Sequence, residues 1–189
     1  MAQKRKNWNG LISGFKASDL VFLDGSGCNT DMTRRYAYSL GGSRAVDSAP
    51  LSKPKNTTIL PSIQLDGTLR YTTFSGGTTV ERFKRYLETD LLPHLNGNSV
   101  LIMDNMKSHH ARAVRNLLDS SEVRCIYLPP YSPDLNPIEK LWSKVKSFLR
   151  KFKARTLDAL PNAIQCAFQT VSLSDCSGWF HSCGYSPYF

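Results

Sequence analysis

The chain has few of the features that define secreted, membrane-bound or zinc-stabilised proteins. Its five cysteines are odd in number, widely scattered and without a Cys-x-x-Cys pair: Cys28, Cys125, Cys166, Cys176 and Cys183. This pattern argues against a disulfide framework, and His181 with Cys183 lacks two further ligands at zinc-site spacing. The sequence also has no apolar stretch of signal-peptide or membrane-span length. We therefore expect a soluble, intracellular protein with no membrane partner.

Acidic residues are also scarce. Lys and Arg number 24 against 15 for Asp and Glu, which gives a formal net charge of +9. Such an excess favours a polyanionic partner such as DNA or RNA, although a merely basic soluble protein fits the charge equally well. The 189 residues, 41% hydrophobic and 21% charged, suit one globular domain and exclude wholesale disorder.

The order of segments predicts a mixed α/β sheet with helices on its faces. Predicted strands cover residues 20–24, 35–40, 57–65, 69–74, 99–104 and 125–128, with a turn at Gly25-Ser26-Gly27 after the first. Predicted helices cover 80–92, 108–118 with Ser108 as its cap, 137–152 and 157–171, and a short aromatic tail follows. Only the first dozen or so residues look like a linker, and no internal repeat is present.

Three acidic residues stand where such a fold can bring them together. Asp24 and Asp104 end apolar strands, whereas Glu139 opens a basic, amphipathic helix, with 34 residues between Asp104 and Glu139. Together they indicate a two-metal site for cutting nucleic acid, in which Asp24 bridges two ions, Asp104 completes one site and Glu139 the other.

Each acid also has a purely structural interpretation. Asp24 precedes glycine and is able to shape a turn, as is Asp104 before Asn105. If Asn136 is the N-cap and Pro137 the first helical residue, Glu139 is the third helical residue. From that position its carboxylate is able to accept a hydrogen bond from the N-cap backbone NH, as in a capping box.

The residues around Glu139 closely resemble a family hallmark. The segment Tyr127-Leu128-Pro129-Pro130-Tyr131-Ser132-Pro133-Asp134-Leu135-Asn136-Pro137-Ile138-Glu139, with Trp142, is similar to that of the mariner-like superfamily of DDE transposases, particularly its bacterial insertion-sequence branch. Further matches are Leu23-Asp24 with Gly27, Thr33-Arg34-Arg35-Tyr36, Met103-Asp104-Asn105 with Ser108-His109, and Trp179-Phe180 with Cys183-Gly184-Tyr185.

The resemblance implies a ribonuclease-H-like fold with a mixed five-stranded sheet and helices on both faces. It implies that Asp24, Asp104 and Glu139 are the catalytic residues and the ligands of two Mg²⁺ ions, with Mn²⁺ as a substitute. It further implies cut-and-paste DNA transposition into TA targets by strand cleavage and strand transfer. The partners would be transposon ends and target DNA, within an active homodimer in the cytoplasm or nucleoid of a bacterium.

Two departures from the family are visible. Gly25 stands where many relatives have Glu, a residue outside the triad. In addition, no helix-turn-helix module precedes Asp24, so residues 1–17 are predicted to be a basic linker from a missing N-terminal DNA-binding region, and 18–189 the catalytic domain. That region, or a separate chain, would supply recognition of the transposon ends.

Four further residues are candidates for nucleic-acid binding: His109, Ser143, Lys146 and Arg150. The last three follow Glu139 at helical spacing and have a solvated cationic face as the alternative. His109 is expected to touch either DNA or the site itself, with helix-start packing as the alternative. Two other functions also fit the chain: a non-catalytic nucleic-acid-binding remnant of a transposase, and a ribonuclease-H-like nuclease.

Overall fold

The protein is described by a computed structural model that covers residues 2–34, 36–50 and 54–185. The strands are β1 Leu20–Leu23, β2 Ser26–Cys28, β3 Thr57–Gln64, β4 Leu69–Ser75, β5 Val100–Met103 and β6 Arg124–Tyr127. The helices are α1 Ala2–Ile12, α2 Val80–Tyr86, α3 Arg112–Ser120, α4 Pro137–Phe152, α5 Ala159–Gln169 and α6 Leu173–Ser182. A π-turn and a 3-10 turn extend α2 to His94.

The six strands fill five positions across one mixed sheet. β4 pairs antiparallel along one whole edge of β3, and β1 and β2 share its other edge, β1 at residues 62–64 and β2 at residues 57–59. β5 pairs parallel with β1, and β6 parallel with β5. β1 and β2 are thus two halves of one strand position, interrupted at Asp24 and Gly25.

Helices cover both faces of the sheet because side chains of its central strands alternate between two cores. Phe22 and Ile102 belong to the core that includes residues of α1, α4, α5 and α6. Val21 and Leu101 belong to the core formed with α2 and α3. Among the described residues, none of the helices has both the length and the apolar character needed to cross a membrane.

Three local predictions are wrong. No turn forms at residues 25–27, because β2 begins at Ser26 and pairs with the edge of β3. No strand forms at residues 36–40, and Arg35 lies outside the described residues. Ser108 does not cap α3, which begins at Arg112 with Ala111 as its N-cap.

Both ends of the chain contain helices that the sequence did not predict. The predicted linker includes α1, whose Trp8 and Ile12 are buried in the core. α6 takes up much of the predicted aromatic tail, and residues 186–189 lie outside the described part of the chain.

Candidate active site

Asp24 and Asp104 meet at one edge of the sheet. Leu23 pairs with Met103 in the parallel register of β1 and β5, so the two carboxylates follow neighbouring residues of adjacent strands. Both line a cleft of about 430 Å³, and Glu139 lines it too. The structure thus brings together the three acids that the sequence singled out.

Asp24 is 8% exposed and is held by two hydrogen bonds. The Gly25 backbone NH donates to Oδ1 (2.7 Å), and the Asn136 Nδ2 donates to Oδ2 (3.1 Å). Burial, followed by the nearby charge of Asp104, raises the pKa of Asp24 to about 7, and the Gly25 NH offsets part of this effect. Because Gly25 continues into β2, a turn does not explain Asp24.

Asp104 lies in a different environment. Its Oδ1 is 2.9 Å from Nδ1 of His109 and also accepts a hydrogen bond from the Met106 NH (3.1 Å). Burial is the largest single influence and acts to raise the pKa of Asp104, but these hydrogen bonds together hold it below its usual value. The Met106 bond closes an Asx turn, so the turn interpretation is correct for Asp104 and coexists with its place in the cleft.

The side chain of His109 is directed towards the site and is not exposed to solvent. Its side chain is fully buried, and its ring stacks on Phe83 with centroids 4.2 Å apart. The prediction that His109 binds nucleic acid is therefore wrong, because no part of the side chain reaches the surface. Its polar contact is with Asp104, which agrees with the expectation that His109 touches the site, and its contact with Phe83 agrees with the packing alternative.

Glu139 is exposed at the start of α4, the helix whose range was predicted. Asn136 is its N-cap, since Oδ1 accepts from the Ile138 NH (3.3 Å). A capping box would require the Asn136 NH to bind the Glu139 carboxylate, but that NH donates to the Pro133 carbonyl (3.1 Å). The capping-box interpretation of Glu139 is therefore wrong, and its carboxylate lines the cleft.

The chemistry of the three side chains fits a hard divalent cation. Carboxylate oxygens are the ligands that Mg²⁺ prefers, and the charges of Asp104 and Glu139 both raise the pKa of Asp24, a repulsion that a cation would relieve. Within residues 2–34, 36–50 and 54–185, no three His, Cys, Asp or Glu side chains are already arranged to hold a metal ion.

The predicted DNA-contact residues of α4 face two different grooves. Ser143 lies with Glu139 and Trp179 in a groove between α4 and α6. Lys146 and Arg150 instead line a groove of about 870 Å³ that also includes Arg34. The structure thus separates Ser143 from the two cations, although all three lie on α4 beyond Glu139.

The sequence predicts Asn136 only as a helix cap, and its hydrogen bond to Asp24 was not predicted. The one signal was its place in the proline-rich segment next to Glu139. No local pattern relates Asn136 to Asp24, because 112 positions of sequence separate them.

A mixed sheet in this strand order, with helices on both faces and acids at the ends of its adjacent parallel strands, defines a ribonuclease-H-like domain. A profile of the family described as DDE superfamily endonuclease matches residues 19–161, well over half of the chain. The chain therefore belongs to the DDE superfamily of endonucleases. The predicted kinship with mariner-like transposases is confirmed, whereas the bacterial branch stays a prediction.

Known proteins agree with this assignment. The Tc1 transposase of Caenorhabditis elegans is 29% identical over 97 residues, which cover 49% of this chain and 36% of that protein. The catalytic domain of the Mos1 mariner transposase has a TM-score of 0.68 at 16% identity, over 99% of this chain and 94% of that one. A Mos1 paired-end complex with Mg has a TM-score of 0.75 at 17% identity, over 96% of this chain and 58% of that one. The chain thus spans about a third of its curated relative.

Proposed function

We propose that this chain is the catalytic domain of a cut-and-paste DNA transposase and that Asp24, Asp104 and Glu139 are its catalytic metal ligands. One observation carries the proposal: two strand ends and one helix start direct these three acids into a single cleft. Membership of the DDE superfamily supports the reaction class. Strand transfer and insertion at TA targets rest on the mariner-like relatives.

The three carboxylates would hold two Mg²⁺ ions, or Mn²⁺ in their place. When bound, such ions neutralise the phosphodiester and lower the pKa of the attacking water. The chain's own residues prepare the ligands: Gly25 and Asn136 fix the carboxylate of Asp24, and His109 keeps Asp104 ionised through its hydrogen bond.

DNA would cross the cleft along α4. Ser143, Lys146 and Arg150 are exposed or half-buried beyond Glu139 and would contact phosphate oxygens. Transposon ends and target DNA are the proposed partners, in a homodimer. Recognition of those ends would come from an N-terminal helix-turn-helix region joined to residues 1–17, or from a separate chain.

The test compares Mg²⁺-dependent nicking and strand transfer by the wild type, Asp104→Asn and Glu139→Gln, each fused to a module that binds transposon ends. We expect both variants to lose at least about 100-fold in rate while folding normally, because an amide is a poor ligand for a hard cation. Glu88→Gln is the matched control, since Glu88 is an exposed acid that pairs with Lys84 and lies outside the cleft.

Full activity of folded Glu139→Gln would refute the assignment. A wild type that binds DNA but never cuts it would support the non-catalytic remnant, and cleavage confined to RNA in RNA–DNA hybrids would support the nuclease.

A further inference from the structure

Both polar atoms of the Asn136 side-chain amide form hydrogen bonds beneath the cleft. Oδ1 accepts from the Ile138 NH in the first turn of α4 (3.3 Å), and Nδ2 donates to Oδ2 of Asp24 (3.1 Å). The residue is 4% exposed, so water does not replace either partner readily. Its amide therefore joins the strand end that carries Asp24 to the helix start that carries Glu139.

The orientation of this amide is determined by its partners. Turning it over would place its NH₂ group against the Ile138 NH, where two donors cannot form a hydrogen bond, and its oxygen against the Asp24 carboxylate, which has no proton to donate when it is ionised. Only one of the two orientations satisfies both neighbours, so the Asp24 carboxylate faces a fixed donor.

The backbone beside Asn136 is held as well. The Asn136 NH donates to the Pro133 carbonyl (3.1 Å), and the Leu135 carbonyl accepts from the Tyr185 hydroxyl (2.6 Å). Tyr185 also packs on Phe22 of β1, with ring centroids 5.0 Å apart. The residue that donates to Asp24 is thus anchored to the strand that carries Asp24.

We propose that Asn136 is a positioning residue for the metal site, beyond its role as helix cap. With Gly25 it gives each oxygen of Asp24 one hydrogen-bond donor, which fixes the plane of the carboxylate and leaves the second acceptor position of each oxygen for a cation. It also sets the start of α4, and hence Glu139, relative to Asp24. This inference rests on the proposed function, because it requires Asp24 to be a metal ligand.

The test separates capping from positioning by measuring Mn²⁺ binding to the full chain, with free Mn²⁺ followed by electron paramagnetic resonance. Asn136→Ser keeps a capping oxygen but loses the donor to Asp24, and we expect it to bind Mn²⁺ about tenfold more weakly. Its thermal midpoint in EDTA should stay close to that of the wild type.

Thr79→Ala is the matched control, because Thr79 caps α2 through the Arg82 NH and has no carboxylate partner. This variant should lose thermal stability in EDTA while its Mn²⁺ affinity stays unchanged. Asn136→Gly, which N-cap positions tolerate, gives a second measurement should the serine variant fold poorly.

Mn²⁺ affinity of Asn136→Ser or Asn136→Gly equal to that of the wild type would overturn the positioning role. Asp24→Asn distinguishes this failure from failure of the proposed function. If Asp24→Asn binds Mn²⁺ as tightly as the wild type, Asp24 is not a ligand, and both the proposed function and this inference are wrong.

Discussion

Two carboxylates at the ends of neighbouring strands have pKa values shifted in opposite directions. Burial and the charge of Asp104 raise the pKa of Asp24 to about 7, whereas hydrogen bonds from His109 and Met106 outweigh burial and lower the pKa of Asp104. At neutral pH Asp104 is therefore ionised and Asp24 is close to its midpoint. Binding of a cation would release a proton from Asp24.

This difference predicts how stability depends on pH. The pKa of Asp24 is about 7 in the folded protein against 3.8 as its ordinary value, so the folded state retains the proton across this range. The contribution of Asp24 to stability is present at pH 4 and is lost as pH rises through 7, by up to about 4 kcal/mol. Without metal, the unfolding free energy of the wild type, measured with urea, should fall relative to that of Asp24→Asn between about pH 4 and pH 7 and change little above that range.

If the unfolding free energies of the wild type and Asp24→Asn change in parallel with pH, the raised pKa of Asp24 is contradicted. With Mg²⁺ present, the wild type should instead gain stability over the same pH range, because the ionised carboxylate binds the cation.

His109 provides a second prediction for a single residue. His109→Phe keeps an aromatic ring against Phe83 but removes the hydrogen bond to Asp104. We expect the Mg²⁺-induced rise in thermal midpoint to shrink, with apparent Mg²⁺ affinity lower by about tenfold. If His109→Phe has a lower thermal midpoint in EDTA but the same Mg²⁺-induced rise as the wild type, His109 serves only to pack against Phe83.

Among helices and strands, those marked by residues within the element itself were predicted correctly, and those held by distant contacts were not. The start of α4 was predictable because Asn136 is a typical N-cap residue and Pro137 a typical first helical residue. The spacing of its apolar residues also predicted its buried face. β2 was missed because Ser26–Cys28 has no strand pattern of its own and is held by its register with β3. The cleft was predictable from the strand ends, and His109 follows Asp104 by only five positions. The support of Asp24 by Asn136 was not predictable, because it joins residues 112 positions apart.

Tyr185 makes a contact between distant elements that mutation can test. Its hydroxyl accepts from Nε1 of Trp8 (3.1 Å) and donates to the Leu135 carbonyl, thereby connecting α1, the residues that follow α6 and the segment before α4. Tyr185→Phe removes both bonds and should lower the unfolding free energy by about 1–3 kcal/mol in urea denaturation. Tyr71→Phe, whose ring stacks on Phe168, is the control and should change it by less than about 0.5 kcal/mol.

At the scale of the molecule, α1 belongs to the catalytic domain's core rather than to a flexible connection. Trp8 is 3% exposed within the core that also contains residues of α4, α5 and α6. Trp8→Ala should therefore cost about 3–5 kcal/mol of unfolding free energy. On the same helix, Leu11 is 49% exposed, and Leu11→Ala should cost less than about 1 kcal/mol. Equal, small effects of the two substitutions would restore the linker interpretation.

The central claim is that Asp24, Asp104 and Glu139 hold one metal centre. Crystals of the chain grown with Mn²⁺ test this claim most directly, because anomalous scattering locates the ions. We expect anomalous peaks in the cleft, about 2.0–2.3 Å from carboxylate oxygens, with Asp24 and both other acids among the ligands. Peaks that never contact Glu139, or ions that bind only outside the cleft, would contradict it.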